Sequence, residues 1–466
     1  MFMRRLTYCM GFVAVLASLS FGQSWVKKFS GAKANDLGDR TDAIIEQEFL
    51  SIRSSPLNFG YCHPAMIDET RDGTLIIMFN AGRSEGSGDV YVTRKPKGGQ
   101  WSDPVMVSGG ESIDIGIVYQ PRYQNQSTII VGYYTAGCCT QGGFVTSTDD
   151  GVTWSDAYTR SPNWDHDGLY GQRMTFGMNP PIELPNGDVW FASSDINDPE
   201  KLGDACITKL PAGKYTTTSE WSSQRIETLS TQHYMGTWLV LSPDYQKLMY
   251  IARTNFCGGA YFSTTNDGGQ TWDANWTQIE NEDVEPQIEF KCGISFVSLD
   301  PTNTSSPLNG YHIATGSRHG QIRQGINVAV STEPLDPNKW HTGITLNFSD
   351  IWNQEIKIEN ADPSIIQSRD GKRLHVLWTG RQQDSLRHAI LDPYKLCGVD
   401  PTEIKEPAGI AQKQTFSMQA LESSDMYSIV GRRLDINSSP LSSKIGGVMI
   451  ARHRNDKGTV YRRIVR

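Results

Sequence analysis

The sequence predicts an all-β fold, a closed ring of six four-stranded blades, on three observations. Short runs rich in Val, Ile, Tyr, Phe and Thr alternate with Gly, Asp and Asn turns from residue 55 to residue 395, and no long amphipathic helix interrupts them. The runs group with a period of roughly 50–60 residues, the spacing of a propeller or other solenoid. An eight-residue turn, "STDDGVTW" at 147–154, returns as "TNDGGQTW" at 265–272. Its acid can accept backbone N–H bonds, its glycine supplies a positive φ, and its tryptophan is placed to pack between neighbouring blades. The turn reads as a fastener between the third and fourth strands of a blade.

The blades follow in order. Blade 1 reads "CHPAMID", "TLIIMFNAGR", "DVYVTR" and "WSDPVMV"; blade 2 reads "IVYQPRYQ", "TIIVGYYTA" and "GGFVTSTDDGVTWSD". Blade 3 is "MNPPIELPNG", "DVWFASSD", "ACITKL" and "WSSQRIET"; blade 4 is "YMGTWLVLS", "KLMYIARTN" and "GAYFSTTNDGGQTW". Blade 5 is "CGISFVSLD", "GYHIATGSRHG" and "INVAVSTEPLDPNKWHTGITL". Blade 6, "ADPSIIQSRDG", "KRLHVLWTGR" and "SLRHAILDP", lacks a fourth strand, which "DAIIEQEFLSIR" at 42–53 can supply to close the ring. Closure also removes exposed sheet edges.

The ends differ from this body. Residues 1–22 carry Arg4 and Arg5 before the apolar run "GFVAVLASLSFG", the pattern of a signal peptide, so the expected protein is secreted or cell-surface, without a membrane span. Removing that segment leaves seven cysteines; none forms a paired C-x-x-C pattern, so no metal and no cofactor is expected. Residues 398–414, with Pro401 and Pro407, read as a linker after a propeller spanning 23–397. Residues 412–466 hold ten Lys and Arg against four Asp and Glu, although the chain as a whole carries a net charge of −8. In this tail the basic residues alternate with apolar ones rather than forming a run, which argues against a nucleic-acid partner.

The repeated turns resemble the Asp-box of sialidase-type β-propellers. The resemblance is closest to the BNR-repeat branch and runs through "YCHPAMI", "FNAGRSEGSGDV", the two turns and "ADPSIIQSRDGKRLHVLWTGR…LRHAILD". The tail, 415–466, is similar to the C-terminal sorting domain of the type IX secretion system through "YSIVGRRL", "GGVMIAR" and "GTVYRRIV", which implies a small β-sandwich-like domain and the secretion machinery as a partner.

In a four-strand meander, strand-one starts and strand-two ends share one face of the ring, and the Asp-box lies on the other. Four strand-two ends terminate in arginine, Arg83, Arg253, Arg318 and Arg381, and so should ring one mouth of the central channel. Arginine recognises carboxylate or sulfate through its fixed fork of donors. Glu85 and Asp89 fall in the loop beside Arg83, where sialidases carry their acid/base aspartate, and are the expected proton-transfer carboxylates. His63 begins the first inner strand and should face the channel, with Tyr119, Tyr234 and His233 at comparable places in blades 2 and 4. Glu359 and Asp362 flank the start of the sixth inner strand and are expected across the pore; Trp238 is a candidate platform for a sugar ring. Cys257 and Cys292 fall on the same face and are expected to form a cross-blade disulfide.

The chain also departs from the sialidase pattern. Cys62 stands where the family has its first arginine, "NADPS" where it has a nucleophilic tyrosine, and "QHYMG" where it has the activating acid. The resemblance implies a glycoside hydrolase, exo-sialidase-like, acting on glycans that bear a carboxylate or sulfate. Two alternatives stand beside it: a lyase acting on uronate-containing glycans, in which His or Tyr abstracts a proton, and a glycan-binding propeller without catalysis.

Overall fold

A computed structural model of the protein describes residues 25–33, 36–83, 88–135, 141–159, 179–195, 204–226, 233–254, 260–279, 293–317, 325–346, 360–380, 384–402, 425–427, 433–434, 449–455 and 458–464. Two compact units divide the chain, Met1–Glu406 and Pro407–Arg466. Glu85, Arg318, Arg381, Glu359, Cys257, Cys292 and the segment 1–22 lie outside the described residues.

The first unit is the expected six-bladed propeller. Strands β1 (Val26–Ser30) and β2 (Ile44–Ser51) precede the ring. Blade 1 holds β3 (Tyr61–Glu69), β4 (Leu75–Gly82), β5 (Gly88–Lys95) and the first half of β6 (Val105–Tyr119). Blade 2 takes the second half of β6, then β7 (Ile129–Thr135), β8 (Gln141–Ser147) and β9 (Tyr158–Thr159). Blade 3 is β10 (Ile182–Glu183), β11 (Val189–Asp195), β12 (Asp204–Leu210) and β13 (Ser222–Arg225); blade 4 is β14 (His233–Val240), β15 (Leu248–Thr254), β16 (Ala260–Thr265) and β17 (Thr277–Gln278). Blade 5 is β18 (Ile294–Ser298), β19 (His312–Ser317), β20 (Ile326–Ser331) and β21 (His341–Leu346); blade 6 starts with β22 (Asn360–Gln367), β23 (Leu374–Gly380) and β24 (Ser385–Leu391).

Closure comes from the other end of the chain. The last sheet has the order β1-β2-β24-β23-β22, so β2 is the fourth strand of blade 6, as expected for 42–53, and β1 adds a fifth strand that the sequence pattern does not announce. The second unit contributes β25 (Asp425–Tyr427), β26 (Arg433–Leu434), β27 (Met449–Asn455) and β28 (Gly458–Ile464), one antiparallel sheet in the order β26-β25-β27-β28.

The core is divided among the six seams between blades. Each seam has its own apolar cluster, for example Met66, Ile76, Val131 and Val145 between blades 1 and 2, and Ile313, Val328, Val376 and Trp378 between blades 5 and 6. Five seams receive a tryptophan from the turn that leads into the fourth strand: Trp101, Trp154, Trp221, Trp272 and Trp340 each join the cluster shared with the preceding blade. In the sixth, Leu396 of the short helix α1 (Pro393–Cys397) joins Ala43 and Ile44.

The two Asp-boxes are the most regular of these turns. Asp149 Oδ1 accepts from the backbone N–H of Thr153 at 2.9 Å, and Oδ2 from the Thr153 hydroxyl at 2.6 Å. Asp267 repeats both bonds with Thr271, at 2.9 and 2.5 Å. Gly151 and Gly269 sit at φ of +79° and +81°, where a side chain is strained. The Thr153 hydroxyl and backbone bonds hold the Asp149 carboxyl down to about 2. Both carboxylate oxygens of Asp149 and of Asp267 are used by the turn itself, so the motif is a fastener.

The seam between blades 6 and 1 is fastened by charge as well. Glu48 of β2 has no exposure, and its carboxylate accepts from Lys95 Nζ (2.7 Å) and Trp101 Nε1 (2.9 Å) of blade 1. It also meets His388 Nδ1 of its own blade at 2.9 Å, and His388 Nε2 lies 3.0 Å from His375 Nδ1. Burial alone would raise the Glu48 carboxyl; the His388 hydrogen bond and the His388 and Lys95 charges outweigh it and hold it far below its usual value.

Candidate functional site

Inner strands β3, β14 and β22 are irregular near the end where strand two of their blade finishes, as is the blade 2 part of β6 between Ile113 and Ile115. Pairing in β3 shifts between Cys62 and Ala65, in β14 between Tyr234 and Thr237, and in β22 between Ala361 and Ser364. In β3 and β22 the sequence supplies the reason: each bulge contains an X-Pro pair, His63-Pro64 and Asp362-Pro363. Proline has no N–H for the ladder, so a strand that carries it inside a sheet bulges there. The residue before each proline is turned out of the regular pleat.

Ring closure makes blades 6 and 1 neighbours, and these two residues meet. His63 Nε2 hydrogen-bonds Asp362 Oδ2, with His63 9% and Asp362 3% exposed. The sequence places Asp362 across the pore; the structure puts it in direct contact with His63, because ring closure makes the sixth and first inner strands neighbours. Asp362 holds an unusual backbone conformation for a non-glycine residue, φ +45°, and Gly293, at φ +71°, leaves no room there: a Cβ on it would overlap Asp362. A carboxylate only accepts, so a neutral His63 donates from Nε2 and keeps Nδ1 as an acceptor. Nδ1 faces the Tyr61 hydroxyl at 3.4 Å, with the two rings edge-on at 6.2 Å. Tyr61 is partly exposed, so the series Asp362–His63–Tyr61 runs from the buried interior to the channel rim.

Arg83 is a cation at the rim whose side chain is described. It directly follows Gly82, the register partner of Tyr61, and is exposed. Arg253 and Tyr234 pair with one another at the β14–β15 end on the same face, as the expected strand-two position requires, although their side chains are not described. His233 is likewise placed by backbone alone, opposite Thr254. In blade 3, Asn179 donates from Nδ2 to the Gly236 carbonyl inside the β14 bulge at 3.0 Å. Behind His63, Cys62 is a fully buried free thiol; burial and the nearby Asp384 push it well up, so it is no nucleophile.

Three expectations need correction. Asp89 lies in strand β5, paired with Ala81, and not in a loop beside Arg83; the hairpin turn is shorter than the sequence suggests. Tyr119 is at the far end of its inner strand, because β6 runs unbroken from blade 1 into blade 2 and brings Tyr119 to the Asp-box face. There its hydroxyl donates to Glu183 at 2.6 Å. Trp238 is buried in the seam of blades 3 and 4, edge-on to Tyr250 at 4.8 Å, and offers no open face to a sugar on this rim.

The opposite mouth is built differently. Asp68, Arg122, Glu183 and Gln367 line a cavity there, and each is bonded within the protein. Asp68 Oδ2 accepts from Gln120 N (2.7 Å), Glu183 Oε2 from Arg122 N (2.6 Å), and Arg369 donates to the Gln120 and Glu69 carbonyls at 2.7 Å each. Burial raises the Asp68 carboxyl against the opposing charges of Arg369 and Arg122. Among the described residues no cluster of His, Cys, Asp and Glu could hold a metal ion, and no helix is long and apolar enough to cross a membrane.

Known proteins place this geometry. No curated protein matches the sequence. Among solved structures, a Dyadobacter fermentans protein of unknown function is 13% identical, over 79% of this chain and 99% of that one, with a TM-score of 0.53. A Hadza microbial sialidase is 14% identical, over 74% and 68% of the two chains, with a TM-score of 0.53. The α-L-arabinanase of Penicillium chrysogenum, solved with arabinobiose, is 12% identical, over 74% and 98%, with a TM-score of 0.51. At such identities the likeness speaks for the fold. The BNR repeat-like domain family matches residues 73–376, most of the ring from the first β3–β4 turn to β23, and the chain is a member of that family with a sialidase-like six-bladed propeller.

Proposed function

We propose that this protein is an exported carbohydrate-active enzyme that cleaves glycans bearing an anionic sugar at the channel mouth above His63 and Asp362. The observation that carries the reading is the buried His63–Asp362 pair, set by proline bulges on two neighbouring inner strands at the rim that also carries Arg83. A buried carboxylate set against an imidazole is costly to keep. Fastening does not explain it, since the seam between blades 6 and 1 is already closed by Glu48. Glycosidases among the structural neighbours support hydrolysis as the reaction class. Arg83, with Arg253, Arg318 and Arg381 on the equivalent strand ends, would hold the sugar's carboxylate or sulfate; Glu85 is the remaining candidate for a carboxylic proton donor. Residues 1–22 would direct export, and the basic tail would engage a type IX secretion machinery as a sorting domain.

Screening the purified protein on an array of neutral, sialylated, uronate-containing and sulfated glycans, followed by product analysis of those bound, tests this reading. Turnover confined to anionic glycans, and reduced by Arg83→Ala mainly through KM, is the expected result. Binding with no turnover would replace the enzyme by a glycan-binding propeller; preference for neutral glycans would remove the anionic substrate.

A further inference from the structure

We propose that the second mouth of the channel, on the Asp-box face, is a binding site for a small monocarboxylate with a ring-sized apolar body, held by Arg122 and Tyr245. It stands apart from the glycan site at the opposite mouth and does not depend on it.

The cavity lies in the bore of the ring, since every blade gives it wall, from Asp68 of blade 1 to Ile365 of blade 6. Its volume is about 160 Å³, roughly the room that one benzene-sized ring needs. Most of the wall is apolar, with Pro180 and Ile182 of blade 3, Trp238 and Val240 of blade 4, and Phe296 of blade 5 beside Ile365. A sugar, hydroxylated on all sides, loses its bonds to water against such a wall. An apolar body has none to lose and gains by leaving water.

The carboxylate of Glu183 is taken up in holding the shape of this cavity. Its Oε2 accepts from the Tyr119 hydroxyl and from Arg122 N at 2.6 Å each, and its Oε1 accepts from Tyr123 N. These bonds fix the turn after β6 and carry Arg122 to the bore by its backbone. The guanidinium itself is exposed and donates to the Gln367 carbonyl at 3.3 Å; among the described residues it forms no ion pair. A planar fork of five N–H donors that gives one long bond to a neutral acceptor suits a carboxylate, which takes two donors side by side.

Tyr245 supplies a second donor. It sits in the equivalent turn of blade 4, 8% exposed and at φ +57°, a conformation that a tyrosine keeps only where its surroundings hold it. The turn is closed around it: Tyr245 N donates to the Ser242 carbonyl and Lys247 N to the Ser242 hydroxyl, both at 2.9 Å. The Tyr245 hydroxyl has no hydrogen-bond partner among the described residues, so this donor is left for whatever fills the bore. It lies near enough to Arg122 and Glu183 to feel their charges. Burial pushes it up to about 12, with Arg122 opposing and Glu183 adding, so it keeps its proton and stays a donor at neutral pH. Asp68 and Glu183 share the wall with Arg122, so one added negative charge meets a balancing cation and a second, as on phosphate, does not.

The test titrates the full-length protein with benzoate and with cyclohexanecarboxylate, read by calorimetry and ligand-observed NMR, beside benzyl alcohol, glucose and inorganic phosphate. Both acids are expected to bind. Benzyl alcohol, which keeps the ring without the charge, and phosphate, which has charge without a ring, should bind about tenfold more weakly or worse. Arg122→Gln should lower the affinity for benzoate by about tenfold to a hundredfold, and Tyr245→Phe, which keeps the ring in the wall, by about tenfold. Absence of binding by both acids, or undiminished binding to Arg122→Gln, overturns the site. Phosphate or glucose bound more tightly than either acid overturns the ligand class. Benzoate binding that is lost in Arg83→Ala and kept in Arg122→Gln puts the acid at the opposite mouth and overturns the proposal as well.

Discussion

The two mouths of the central channel use polar residues in opposite ways. On the Asp-box face, carboxylates are taken up by backbone N–H groups and hydroxyls of the ring itself: Asp149 caps its own turn, Asp150 accepts from the Thr70 hydroxyl, Glu183 accepts from Arg122 N and the Tyr119 hydroxyl, and Asp68 accepts from Gln120 N. On the other face, Asp362 is set in a bulge at φ +45°, and its Oδ2 meets a side chain from the neighbouring blade. Acids satisfied by backbone and hydroxyl donors hold a shape; in the function proposed above, the acid that meets an imidazole across a blade junction holds a proton. In that proposal the difference separates fastening from chemistry where composition alone cannot, since both mouths contain Asp, Arg and Tyr.

The sharpest way to break this comparison is at the charged seam, where fastening is strongest. Glu48→Ala would leave Lys95 and His388 without their common carboxylate in a dry interior, at a cost of about 3–5 kcal/mol in guanidinium unfolding at neutral pH. A loss well under that value would mean the seam relies on its apolar cluster alone. The same seam sets an acid limit. Burial, with the His388 and Lys95 charges, keeps His375 well below its usual 6.5, so the unfolded chain binds the extra proton and stability declines as pH falls through that value. The depressed Glu48 adds a further decline below its usual 4.5, which Glu48→Gln should remove while the His375 part stays.

A middle-sized effect is expected at Gly293. Its positive φ and its contact with Asp362 make Gly293→Ala destabilising by about 2 kcal/mol, and the displaced carboxylate should cost turnover beyond any loss of folded protein. Stability lost with turnover per folded molecule intact would separate Asp362 from the chemistry. The smallest effect belongs to the fasteners: Asp149→Ala should cost about 1 kcal/mol, as loss of a capping carboxylate does, with kcat and KM unchanged. A change in glycan binding would show that the Asp-box face takes part in function.

The parts of this architecture that the sequence discloses are local ones. The Asp-boxes are visible because acid, glycine and tryptophan sit within one turn. The tryptophans of blades 1, 3 and 5 do the same packing from "KPKGGQW", "YTTTSEW" and "DPNKW", turns with no shared spacing, and only the seams reveal them. His63 and Asp362 are each conspicuous singly, but they stand 299 residues apart, and their contact exists only because the ring closes. A signal was present: "CHPA" and "ADPS" put a proline at the same place in two inner strands, which forces a bulge in each. Tyr119 was misplaced for a related reason, since nothing in "SGGESIDIGIVY" marks where one blade hands over to the next.

Closure by β2 also constrains how this protein comes into being. A ribosome delivers Ile44–Ser51 early, yet its pairing partner, Ser385–Leu391, is among the last propeller segments made. Through nearly all of synthesis, Glu48 and Phe49 belong to an open strand edge, the kind that invites pairing with another chain. Whatever keeps that edge quiet, a bound helper or passage across a membrane before folding, must act before residue 391 is in place, and the nascent chain will be most vulnerable to aggregation just before its own two ends meet.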